Sequence, residues 1–238
     1  MQAQERRIPG IQGEIPSVSE NPLGKKSAYS FLYDPSLLYP VPRRENRSAH
    51  GIDSSLFSGY DIWNAYELSW LDLKGKPEVR ILRIIYSAAS ENIVESKSLK
   101  LYLNSFTMTR FACQQDVAER IRSDLEKILN TPFVHVRLYG QDSDAYELTR
   151  FSPELLIDEM DISLDEYDLN KNLLSLKPGE GSNVERVSHL LKTNCPITGQ
   201  PDWATLYIRY SAHKRLDDAS LLRYIVSYRN HSGFHETC

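Results

Sequence analysis

The apolar positions fall into two periods. Ile62–Leu73 and Val79–Tyr86, on either side of Lys74-Gly75-Lys76-Pro77, read as two strands joined by a turn. Lys97–Phe106 then places Leu99, Tyr102, Leu103 and Phe106 at helical spacing, and Gln114–Leu129 does the same with Val117, Ile121, Leu125 and Ile128. Val134, Val136 and Leu138 alternate with His135 and Arg137, so a strand follows. Strand, strand, helix, helix, strand predicts an antiparallel α+β unit with helices on one face of the sheet.

Outside this unit the pattern weakens. Residues 1–58 hold prolines at 9, 16, 22, 35, 40 and 42, which excludes long helices and central strands and predicts an extended arm. Its apolar knot, Tyr33-Asp34-Pro35-Ser36-Leu37-Leu38-Tyr39, is expected to pack on the body. Residues 151–183 read as a connection: Glu154 to Asp168 holds seven acids and no Lys or Arg, and Pro178-Gly179-Glu180-Gly181-Ser182 supplies turn chemistry. A solvated loop or edge hairpin is the expected reading of these acids, and an acidic docking surface is the alternative.

The second half echoes the first. Gly75-Lys76-Pro77-Glu78 matches Gly199-Gln200-Pro201-Asp202, and Tyr86-Ser87-Ala88 matches Tyr210-Ser211-Ala212 at the same offset of 124 residues. With small shifts, Ser98-Leu99, Tyr102 and Ser105 match Ser220-Leu221, Tyr224 and Ser227. This predicts a tandem of two like units. In that alignment Leu71 faces Cys195, and Ala112-Cys113 faces His235-Glu236. Cys238 corresponds to Gln115, so the second unit is expected to be incomplete. The expected divisions are an arm over 1–58, a first module over 59–150, a connection over 151–183 and a second module over 184–238.

Composition narrows the class. The 238 residues carry a net charge of -4, with 41% hydrophobic and 25% charged side chains. No run approaches the ~18 apolar residues a membrane span needs, and no apolar stretch follows Met1-Gln2-Ala3-Gln4-Glu5-Arg6-Arg7. Cys113, Cys195 and Cys238 are far apart and form no CxxC pair, so no metal site is expected and the thiols read as reduced and cytosolic. Mild acidity argues against direct nucleic-acid binding. No Gly-rich dinucleotide fingerprint or P-loop occurs.

Three segments could carry chemistry. Cys195 enters the turn Cys195-Pro196-Ile197-Thr198-Gly199-Gln200-Pro201-Asp202, where a thiol is accessible and Asp202 could fold back toward it. A semi-buried hairpin cysteine would have the same sequence. His235-Glu236 pairs a proton-transfer group with a carboxylate suited to two adjacent N–H donors; a helix-start pair reads identically. Glu95-Ser96-Lys97-Ser98-Leu99-Lys100-Leu101-Tyr102 opens a helix whose free N–H groups, with Lys97 and Lys100, could attract phosphate. A capped surface helix with solvated lysines is the alternative. Cys113 is expected to be buried rather than catalytic.

Together the three segments resemble the NADPH-dependent 7-cyano-7-deazaguanine reductases, nitrile reductases of the tunnelling-fold superfamily. Tyr33–Leu38 with Pro42-Arg43 resembles its long, two-module subfamily. The resemblance implies that Cys195 attacks the nitrile carbon to form a thioimide, with Asp202 as proton donor. It implies that Val94, Glu95, Ser96, His235 and Glu236 hold the deazaguanine, and that Ser96 and Lys97 meet NADPH. It also implies a cytoplasmic homodimer serving queuosine (tRNA modification) biosynthesis. The family continues past the His-Glu pair with an Arg-Gly-Gly segment that contributes to cofactor binding, whereas this sequence ends at Cys238. The second expectation is therefore a catalytically incompetent module that binds a purine-like base.

Overall fold

The computed structural model describes residues 30–49, 51–56, 58–143, 150–196 and 198–233. Seven strands and four helices run as β1 Pro40–Pro42, α1 Arg43–Ala49, β2 Tyr60–Leu71, β3 Pro77–Ser87, β4 Asn92–Val94, α2 Ser96–Asn104, α3 Gln114–Leu129, β5 Val134–Tyr139, β6 Leu176–Asn194, β7 Pro201–Leu216 and α4 Asp218–Ser227 among the described residues. All strand pairs are antiparallel: β2-β3-β5, β1-β4 and β6-β7. The fold is α+β, as the pattern predicts.

The first core lies between the β2-β3-β5 sheet and helices α2 and α3. Leu82, Ile84 and Tyr86 alternate inward from β3 and meet Leu99, Tyr102 and Phe106 of the α2 segment and Val117, Ile121, Leu125 and Leu129 of α3. Leu129, not Ile128, completes the buried stripe of α3; Ile128 is only partly buried. The apolar knot does pack here. Leu38 is in the core, and the Tyr33 and Tyr102 hydroxyls both donate to Asp124 Oδ2, each at 2.7 Å.

Two details differ from the pattern. Pro178-Gly179-Glu180-Gly181-Ser182 lies within β6 rather than ending a loop. The ladder shifts register at Pro178/Gly181 and Gly181/Val184, with positive φ at Gly179 and Asn183. Proline and glycine mark strand irregularities as readily as turns. Cys113 is exposed: it occupies the N-cap position of α3, ahead of the first turn that reaches the core.

A shared set of backbone contacts occurs in both halves. Pro40–Pro42 pairs with Asn92–Val94 as Leu176–Pro178 pairs with Lys214–Leu216. Asp34 and Asn170 each cap a short 3-10 turn. The Tyr39 N–H donates to Ser98 Oγ and the Ser175 N–H to Ser220 Oγ, both at 3.0 Å. The Glu95 N–H reaches Tyr39 O and the Asp217 N–H reaches Ser175 O, again at 3.0 Å. By these contacts Glu95 and Asp217 hold like positions. In the second half, Ile157 and the α4 residues Leu221, Leu222, Ile225 and Val226 form a core against which Leu206 and Ile208 of β7 pack.

Candidate active site

Cys195 stands where β6 turns into β7. Its N–H donates to Gln200 O at 2.8 Å and its carbonyl accepts from the Gly199 N–H at 2.9 Å, closing the hairpin. Gly199 has φ +68, a backbone region that side chains with a Cβ rarely adopt. The turn leaves Cys195 partly exposed. Asp202 lies on β7 directly across from Thr193, two residues before Cys195.

The segment after α4 docks beside this turn. The Asn194 N–H donates to His231 O at 2.9 Å, and the Gly233 N–H donates back to Asn194 O at 3.2 Å. Lys192 Nζ reinforces the clamp, reaching Asn194 Oδ1 at 2.6 Å and Arg229 O at 2.8 Å. Arg229 in turn lies 5.7 Å from the Trp203 ring centroid. His235 and Glu236, expected to complete the pocket, lie outside the described residues.

The first half makes a similar clamp without a cysteine. The Leu71 N–H donates to Thr109 O at 3.0 Å and the Phe111 N–H donates to Leu71 O at 2.9 Å. Leu71 therefore takes the place of Asn194, and Asp72 that of Cys195: the Asp72 N–H closes its turn on Lys76 O at 2.8 Å. This moves the expected Leu71–Cys195 match by one residue, because the Cys195 turn is one residue longer. Asp72 Oδ1 accepts the Lys74 and Lys76 N–H groups, each at 2.8 Å. Those bonds hold its carboxyl below the usual carboxylate range.

At the start of α2, Glu95 is 3% exposed and acts as the N-cap. Oε1 accepts the Lys97 N–H at 2.9 Å and Oε2 the Ser98 N–H at 2.7 Å. The N–H groups expected to meet phosphate are thus already occupied by the chain's own carboxylate. Ser96 is exposed, its hydroxyl donating to Glu95 Oε1 at 3.4 Å, and Lys97 is half-buried. A carboxylate has about four lone-pair directions, which leaves Glu95 capacity for further donors. Val94 is fully buried behind it.

Sequence reasoning missed Thr193 and Asn194. Asn194 is the clamp's pivot, and Thr193 shares the face of Asp202. For Asn194, a polar residue directly before a turn cysteine was the available signal.

Two family models match the chain: "Nitrile reductase, 7-cyano-7-deazaguanine-reductase N-term" over residues 29–138 and "QueF-like protein" over residues 201–238. The protein named NADPH-dependent 7-cyano-7-deazaguanine reductase of Desulfotalea psychrophila is 50% identical over 221 residues, covering 91% of this chain and 79% of its own length. The chain belongs to this reductase family. Proteins of the same name from Bordetella pertussis and Paraburkholderia phytofirmans are 45% and 46% identical over 227 and 226 residues. These alignments span 93% and 92% of this chain and 81% and 80% of the relatives. The family-model match over residues 29–138 includes the segment that carries Glu95.

Proposed function

We propose that the chain reduces the nitrile of 7-cyano-7-deazaguanine to the primary amine 7-aminomethyl-7-deazaguanine at the expense of NADPH. Family membership supports the reaction class. The observation that carries the assignment of the site is the Cys195 turn, which presents a partly exposed thiol one strand away from Asp202.

A nitrile carbon resists direct hydride attack, and sulfur addition makes it an activated imide. A thiol with pKa ~8.5 is only a few per cent ionised at neutral pH, so a neighbouring base matters. The Asp202 carboxylate takes the Cys195 proton as the sulfur forms its bond to carbon. One π bond of the nitrile breaks, and the nitrogen receives that proton from Asp202, giving a thioimide. Glu95 and Glu236, with Val94, Ser96 and His235, hold the deazaguanine edge. Ser96 and Lys97 suit a phosphate of NADPH, one through a hydroxyl donor and the other through a cation. NADPH when bound supplies hydride, two equivalents per nitrile.

The contacts shared by both halves support a tandem of tunnelling-fold modules, with one site drawing Glu95 from the first and Cys195 from the second. The sheet edges β2 and β5, which have no further neighbouring strand among the described residues, support a homodimer that pairs such edges. The substrate implies queuosine biosynthesis, a cytoplasmic pathway. Among the described residues no helix is long and apolar enough to cross a membrane. The reaction is tested by following NADPH absorbance at limiting nitrile. About two NADPH consumed per nitrile, and none in Cys195→Ala, is the expected result. Consumption in Cys195→Ala equal to wild type would overturn the assignment.

A further inference from the structure

Side chains alternate along a strand, so Thr193 takes the face of β6 opposite to Asn194, and Cys195 follows at the first position past the strand. Asp202, directly opposite Thr193, shares that face, since facing Cβ atoms of neighbouring strands lie only ~4.5–5.5 Å apart. It is the face covered by α4. Ala204, Leu206 and Ile208 follow Asp202 on the half-buried side of β7, whereas Trp203, Thr205 and Tyr207 on the other side are exposed.

Thr193 is 1% exposed, and its Oγ1 has no hydrogen-bond partner among the described residues. A buried hydroxyl without a partner is destabilising, and valine would fill the same space without that cost. Packing therefore does not explain why a hydroxyl stands here. The other buried oxygen in this condition, Asp158 Oδ1, belongs to a carboxylate whose second oxygen already holds the His189 N–H at 2.8 Å. Thr193 has no such second duty. Its one O–H can donate, and the side chain directly across the ladder is a carboxylate.

We propose that Thr193 is a positioning residue for the nitrile chemistry: its hydroxyl donates to one oxygen of the Asp202 carboxylate when substrate is bound. The other oxygen is then left facing Cys195 Sγ and the nitrile nitrogen. The proposal rests on the role given above to Asp202. It makes the orphan hydroxyl a feature whose cost is borne in the free chain and returned in the complex.

The test is the rate of covalent addition of 7-cyano-7-deazaguanine to the full chain without NADPH, measured by intact mass against nitrile concentration. Thr193→Val is expected to lower the maximal rate about tenfold with the half-saturating concentration unchanged, less than the ~100-fold or more that a positioned proton-transfer group itself contributes. Thr193→Ser, which keeps the hydroxyl, should stay within about twofold of wild type. Asp202→Asn should be slower still, and adding Thr193→Val to it should change nothing more, because the two act as a unit. Thr193→Val should also melt at or above the wild-type temperature.

A wild-type rate in Thr193→Val, or equal losses in the Val and Ser variants, would overturn the role of Thr193 while leaving that of Asp202 intact. A melting temperature for Thr193→Val below wild type would overturn the premise that the hydroxyl is unsatisfied. A wild-type rate in Asp202→Asn would overturn both readings together.

Discussion

At the scale of single residues, the site depends on backbone positions that admit few side chains. Gly199 at φ +68 lets the chain turn back so that Cys195 closes its hairpin. Gly199→Ala is expected to destabilise the fold by about 1–2 kcal/mol, the cost of a Cβ in the left-handed region. Thermal melting checks the stability, and slower alkylation of Cys195, with Cys113 as internal reference, checks the geometry. Glu95 carries two duties, cap and proposed base ligand. Glu95→Ala should lose about 0.5–2 kcal/mol of stability through the cap, and should also weaken nitrile binding. Asp217→Ala, which removes the cap at the like position of α4, should lose similar stability with nitrile binding unchanged. Equal binding in the two variants would confine Glu95 to capping.

At the scale of elements, buried phenols and paired carboxylates set opposite pH limits. Burial, followed by the bond to Asp124, pushes the Tyr33 hydroxyl from 10.0 up to about 12, and burial does the same for Tyr86. Tyr102, beside the same Asp124, is pushed upward as well. A raised phenol contributes stability that is complete below pH 10 and is lost as the pH climbs toward 12. Tyr33→Phe should flatten the fall in melting temperature over that window. An unchanged slope would mean that Tyr33 does not tie its segment to α3. On the acid side, burial pushes Asp218 upward, but the guanidinium groups of Arg186 and Arg215 outweigh it and hold the carboxyl below its usual range. That contribution is present above the ordinary aspartate pKa of ~3.9 and lost as the pH falls below it. Asp218→Asn should shrink the stability difference between pH 6 and pH 3.

The elements also show what was legible in the chain. α3 was readable over its whole length because its apolar stripe repeats without interruption. The β2–β3 hairpin followed from its Gly-Pro turn. β4, at three residues, is too short to carry a period, and β6 passes through a Pro-Gly segment whose composition signals a turn. There, the pairing of Leu176–Pro178 with Lys214–Leu216 overrides local preference. In the site, Cys195 and Asp202 were visible as chemistry. Thr193 was not, because nothing local distinguishes a buried hydroxyl from a surface one. Glu95 was visible as a carboxylate at a helix start, but its capping of the very N–H groups assigned to phosphate emerged only from geometry.

At the scale of the molecule, the two halves make the same clamp with different contents. Asp72 fills its turn with hydrogen bonds to its own backbone, whereas the like position in the second half is Cys195. At the helix starts the asymmetry runs the other way. Asp217 pairs with Lys177 and Asp218 with two arginines, whereas the first half places Ser96 and Lys97 after its capping Glu95. The proposed nucleophile Cys195 and the proposed anchor Lys97 thus lie in different halves, as the composite site proposed above requires. Sedimentation should show a homodimer, and a monomer at all concentrations would contradict the proposed pairing of sheet edges. The central claim is that Cys195 adds to the nitrile. Its most direct test is the intact mass of the chain after mixing with 7-cyano-7-deazaguanine in the absence of NADPH. The account predicts a gain of one intact nitrile mapped to Cys195 and absent in Cys195→Ala; no gain at saturating ligand, or a gain on Cys113, would contradict it.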